Sequence, residues 1–168
     1  MHLVARVGDL RIGIVHGDAT ALAGWGFARE ALDDPATRPW FDGVAHSSRI
    51  DVFASTHTGL PALRDLLLTS GRVTIINNGA AGMPNFVDGR FGLISRIASF
   101  PSPHSPVYRI ARDGVHIDAI ALEYDTASFL QRFLRRWPEG STGHASYFAR
   151  IVAGPEYTVA QARPDTPR

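Results

Sequence analysis

Three apolar runs in this chain each break off into polar and small residues: "RIGIVHGD" at 11–18, "IDVFASTHTG" at 50–59 and "RVTIINNGAAG" at 72–82. A short run that is apolar at successive positions suits a strand buried on both faces, and such strands belong to sheets covered by further layers. Repeated three times with intervening segments, the pattern predicts α/β layering with helices outside the sheets. In open sheets of this kind ligands gather beyond the C-terminal strand ends, where turns expose backbone donors and side chains converge. His16, His57 and the Asn77–Gly82 loop all fall at such ends.

The rest of the chain is read around these three runs. Residues 2–7 form a strand joined to the first run through "GDL". "DATALAGWGFAREALDD" (18–34) predicts a helix with Asp18 as N-cap and Leu22, Trp25 and Leu32 facing inward. Residues 34–48, with two prolines, read as a loop, and "LPALRDLLLTSG" (60–71) as a short helix with Pro61 in its first turn. From Phe91 the pattern turns to antiparallel strands, 91–99 and 106–124, the latter folded at Asp113-Gly114. A helix over 126–137 capped by Thr126 should bury Phe129, Leu130, Phe133, Leu134 and Trp137 before stopping at Pro138. The expected organisation is a single, incomplete domain over 1–157 and a polar tail over 158–168.

Composition narrows the chemistry. The 168 residues include no cysteine, which excludes disulfides, thiolate metal sites and a Cys nucleophile, and leaves metals only nitrogen and oxygen ligands. Seventeen basic residues balance sixteen acidic ones without a basic cluster, so nothing marks a nucleic-acid partner. No apolar run is long enough to span a bilayer and residues 1–10 lack signal-peptide character, so a cytoplasmic location is expected. Nucleophile-elbow, P-loop and dinucleotide-binding patterns are also missing. His16 and His57 are the candidate metal ligands, with Asp18 and Thr56 placed to orient them; a plain N-cap is the alternative role for Asp18. The loop from Asn77 could cradle a phosphate on its amides, or simply turn the chain.

Taken in order, "VHGD", "DVFASTHTGLP" and "TIINNGAAGMPNF" resemble the latter half of a calcineurin-like metallophosphoesterase, over roughly Ile12 to Tyr124. The resemblance implies two mixed β-sheets with flanking helices, part of a four-layer αββα sandwich. It also implies hydrolysis of a phosphate mono- or diester by metal-activated water. The family's Gly-His motif matches Val15-His16, its Gly-His-Thr-His motif matches Thr56-His57-Thr58-Gly59, and its Asn-Pro-Gly-Ser turn matches Asn77-Asn78-Gly79-Ala80. By that match His16 and His57 bind one divalent metal, Mn, Fe or Zn. Asp18, Thr56, Thr58, Asn77, Asn78 and Gly79 then lie behind the ligands or near the phosphate.

Two departures matter. Gly59 stands where the family has a second histidine, and the opening Asp-x-His, Gly-Asp and Gly-Asn-His motifs have no counterpart in residues 1–15 beyond Val7-Gly8-Asp9. The expectation is therefore a truncated or divergent phosphoesterase with little or no activity alone. A noncatalytic α/β remnant or interaction module is the alternative. Uncovered sheet edges are expected to promote self-association.

Overall fold

The computed structural model describes residues 3–164. Eight strands form two sheets. In the first, β1 (Leu3–Val7) pairs antiparallel with β2 (Leu10–Ile14) across a turn at Gly8. β2, β3 (Val52–Ser55) and β5 (Gly71–Asn78) run parallel, and β4 (Pro61–Leu68) returns antiparallel on β5, giving the order β1-β2-β3-β5-β4. The second sheet has the order β6-β8-β7, from β6 (Gly92–Ala98), β7 (Tyr108–Arg112) and β8 (Val115–Leu122). It is antiparallel throughout rather than mixed, with the expected turn at Asp113-Gly114.

Successive residues of the apolar runs serve two cores. Val52 and Ile76 pack with Ile12 and Leu63 against Leu93, Val115 and Ile117 of the second sheet. Their neighbours Phe53 and Ile75 face the other way, with Ala62, Leu66 and Val73, onto Phe27, Leu32, Phe41 and Ala45. This division explains why the runs are continuous rather than alternating, since full burial of each large apolar side chain contributes about 1.5–3 kcal/mol on either face. The second layer is supplied by two helices, α1 (Arg29–Asp33) and α2 (Arg38–Ser48).

Four local expectations are corrected. Residues 60–71 do not form a helix: Pro61–Leu68 is a full strand, because pairing along β5 and burial of alternate faces outweigh the helix propensity of its leucines. Residues 34–48 are not a loop: after a short 3-10 turn at Pro35–Thr37, α2 accepts Pro39 in its first turn, where the missing N–H has no intrahelical partner to lose. The helix expected from Asp18 begins only at Arg29, and Leu22 and Trp25 point outward. Helix α3 (Thr126–Arg136) is capped by Asp125, whose carboxylate accepts from the Ser128 amide, and not by Thr126. None of its residues is fully buried: Phe129, Leu130 and Phe133 are half-buried, and Leu134 and Trp137 exposed.

Helix α4 (Thr142–Ala153) packs Gly143 so tightly on Trp137 that a Cβ there would lie 2.3 Å from the indole. The segment expected as a polar tail opens with a capping box, Thr158 with Gln161, on the short helix α5 (Val159–Ala162), and Ala162 is fully buried. The tail's last residues, 165–168, lie outside the described residues.

Candidate metal centre at the strand ends

β2 and β3 end side by side because they are parallel neighbours, with Ile14 level with Ala54. Beyond that register the His16 carbonyl accepts from the amides of both Thr56 and His57, at 3.2 and 2.9 Å. This fork locks the two strand ends together and brings the imidazoles into contact. Nδ1 of His57 lies 3.1 Å from Nε2 of His16, with ring centroids 4.9 Å apart and planes at 68°. His16 is exposed and His57 half-buried, so the pair faces solvent.

The other expected site residues form a scaffold beneath the pair. Thr56 donates its hydroxyl to the Gly79 carbonyl at 2.9 Å, tying β3 to the loop after β5. Asn77, fully buried at the end of β5, donates to Phe27 O and to the Thr58 hydroxyl and accepts from the Gly79 amide. Thr58 donates in turn to Leu60 O, and Asn78 donates to Leu93 O of the second sheet. Gly79 has φ of +66°, and a Cβ there would lie 2.4 Å from Asn85 Oδ1. Asn85 closes the loop by accepting from the Ala80 amide and donating to the Ala80 and Met83 carbonyls. The Gly79 and Ala80 amides are thus engaged within the loop itself.

Asp18 sits elsewhere than a helix cap. Its carboxylate accepts from the amides of Thr20, Ala21 and Gly26 and from the Thr20 hydroxyl, at 2.8 to 3.0 Å. Burial opposes its ionisation, but these donors outweigh burial and hold the carboxyl below its usual range. With both oxygens so occupied, Asp18 organises the loop that leaves β2. A Cβ at Gly24 would fall 1.9 Å from Asp18 Oδ2, so the loop closes only with glycine there.

Two residues at this site escape a reading of the sequence. The indole of Trp25 and the imidazole of His57 form a T-shaped pair, centroids 5.7 Å apart at 73°. Its signal was the Gly-Trp-Gly triplet, which argues against a helix interior. Arg150 of α4 reaches across to donate to the carbonyls of Gly59 and Pro84, and burial lowers its pKa. Gly59, in the left-handed region at φ +72°, would place a Cβ 3.2 Å from the Arg150 guanidinium. Nothing local to α4 announces that reach.

As a donor set the site is small. A metal–imidazole bond of about 2.0–2.1 Å puts two ligand atoms about 3.0 Å apart at right angles and about 3.4 Å apart at the tetrahedral angle. The 3.1 Å between the two nitrogens is that of a direct hydrogen bond between the rings, and it also falls within the span that two imidazoles sharing one cation would have. Among the described residues no group of three or more His, Cys, Asp or Glu is gathered to hold a metal. His46 and His104 are exposed, His116 lies on β8, and His144 stacks on Phe148.

No family model matches the sequence. No curated protein matches it either. Among solved structures, the chain is similar to hypothetical protein PH1004 from Pyrococcus horikoshii OT3, with a TM-score of 0.56 and 16% identity over 92% of this chain and 51% of that one. It also aligns with a metallophosphoesterase from Sphaerobacter thermophilus, at a TM-score of 0.48 and 21% identity over 90% of this chain and 59% of that one. The chain thus spans between half and three-fifths of the length of each. Among the described residues no helix is long and apolar enough to cross a membrane. At 16% identity, the likeness to the Pyrococcus protein shows a shared fold and no more.

Proposed function

We propose that the strand ends form part of a metal-dependent phosphoesterase centre, in which His16 and His57 hold one divalent cation, Mn, Fe or Zn, and the substrate is a phosphate mono- or diester. The observation that carries this reading is the 3.1 Å approach of Nδ1 of His57 to Nε2 of His16 on locked neighbouring strands. The order of the "VHGD", "THTG" and "NNGAAG" motifs along the sequence adds to it.

The chemistry such a cation supplies when bound is an acidified water and positive charge against the phosphoryl oxygens. The chain's own residues prepare the place. The His16 carbonyl fixes both strand ends, the Thr56–Gly79 and Asn77–Thr58 bonds hold the turn, and Arg150 pins Gly59 with a guanidinium that meets carbonyl oxygens there. Two protein ligands leave the remaining positions to water, so affinity is modest and turnover by this chain alone is low.

The small donor set favours a second reading, an α/β interaction module without catalysis. Elemental analysis after Mn²⁺ or Zn²⁺ loading and desalting separates the two. About one metal per chain, lost in His16→Ala and His57→Ala, supports the first; no metal above the variants supports the module. A 4-nitrophenyl phosphate assay on the loaded chain then reads turnover, expected at a small fraction of that of a complete two-metal enzyme.

A further inference from the structure

We propose that Trp25 is a specificity-determining residue of the His16–His57 site, a platform on which a planar aromatic group borne by the phosphate ester packs. This inference rests on the phosphoesterase reading and names its substrate class, an aryl or nucleoside phosphate.

The first observation is exposure. Trp25 is 62% exposed and Leu22, on the same loop, 63%. Singly exposed apolar side chains are ordinary, so exposure counts here through its place beside His57; tryptophan combines a broad face with few rotors. The second is position. His57 is the one aromatic neighbour of Trp25 among the described residues, and with 62% of Trp25 exposed beside it the indole has surface left to take another ring.

The third is rigidity. Asp18 gathers four donors from residues 20, 21 and 26 around the loop. The glycines flanking Trp25 are both packed shut, Gly24 on Asp18 and Gly26 on Trp40, where a Cβ would lie 2.5 Å from the ring. A loop so fixed loses little conformational entropy when a ligand arrives.

The test is calorimetric titration of the full chain, with Mn²⁺ present, by phenylphosphonate, methylphosphonate and a non-hydrolysable adenosine phosphonate. Phenylphosphonate is expected to bind about tenfold more tightly than methylphosphonate, in line with stacking on an aromatic side chain. Trp25→Ala should reduce that ratio to about two or less, and Trp25→Phe should retain most of it. A stronger adenosine ligand places the arene in a nucleotide, and a stronger phenyl ligand in a simple aryl ester; either order supports the proposal.

An unchanged ratio in Trp25→Ala overturns it, as does no saturable binding of any phosphonate. A separate Mn²⁺ isotherm on wild type and Trp25→Ala keeps the two readings apart. Metal binding without arene preference removes the platform and leaves the metal site. Arene preference lost in Trp25→Ala without metal binding does the reverse.

Discussion

At the β4 margin of the larger sheet the chain folds back and covers most of the strand, leaving Leu67 exposed, whereas at the β1 margin both Leu3 and Val4 stay in water. Arg64 on β4 is buried and donates to Asp33 and to the carbonyls of Leu63, Gln161, Ala162 and Arg163, fastening α1 and α5 to the strand. Tyr157 is buried close by, donates to Pro61 O, and has its pKa pushed up to about 12, chiefly by burial. On β1, by contrast, Leu3 is 68% and Val4 52% exposed, and Ile14 on β2 and Ile94 on β6 are exposed as well. Between β1, β2 and β6 lies a mainly apolar cleft of about 450 Å³. The hydroxyls of Ser55 and Ser95, which line it, are buried without a partner among the described residues. The difference teaches where stability is concentrated: the closed margin carries it, and the candidate site sits at strand ends between the two.

No single change should cost more than breaking the closed margin. Arg64→Ala takes a donor from four carbonyls and from Asp33, which is 40% exposed and keeps Arg29 nearby, and is expected to lose about 2 kcal/mol in urea unfolding, mostly through the carbonyls. A loss under about 1 kcal/mol would mean that the margin is held by apolar packing alone.

The loop between the margins comes next. Asp18→Ala removes the acceptor for four donors and is expected to cost about 2 kcal/mol, read as faster amide exchange at residues 20, 21 and 26. Because the folded pKa of Asp18 lies below the unfolded value of 3.8, its stabilisation is fully present above that value. It is lost as pH falls through the lowered folded pKa. Protection of those amides that stays constant on acidification would contradict this role.

A gain is expected on α2. Gly43 is exposed, mid-helix, and a Cβ there meets nothing within 4 Å, so Gly43→Ala should stabilise the fold by about 0.5–1 kcal/mol. The smallest change in stability, within about 0.5 kcal/mol, is expected for Val4→Lys on the open margin. Its effect should appear in assembly: light scattering should find the wild type self-associated and the variant less so. A monodisperse wild-type monomer would show that the open margin needs no cover.

How much of this was legible in the sequence follows from the range of the interactions. The buried strands, the Asp113-Gly114 turn and the meeting of His16 with His57 were readable, because apolar runs, turn chemistry and parallel strand ends are local or regular features. β4 was not, since its leucines decide nothing until β5 pairs beside them. The loop after His16 is not legible because Asp18 reaches Gly26 eight residues away, and the loop so closed leaves Trp25, expected in the core, exposed beside His57. Arg150 and Arg64 act across 66 to 99 residues of sequence, beyond any periodicity.

The most direct test of the central claim is electron spin-echo modulation of Mn²⁺ bound to the full chain, which reads imidazole nitrogens on the ion. Two coupled nitrogens are expected in wild type, one in His16→Ala and one in His57→Ala, and none when both are replaced. Coupling that survives the double replacement, or none in the wild type, would contradict a cation held between the two strand ends.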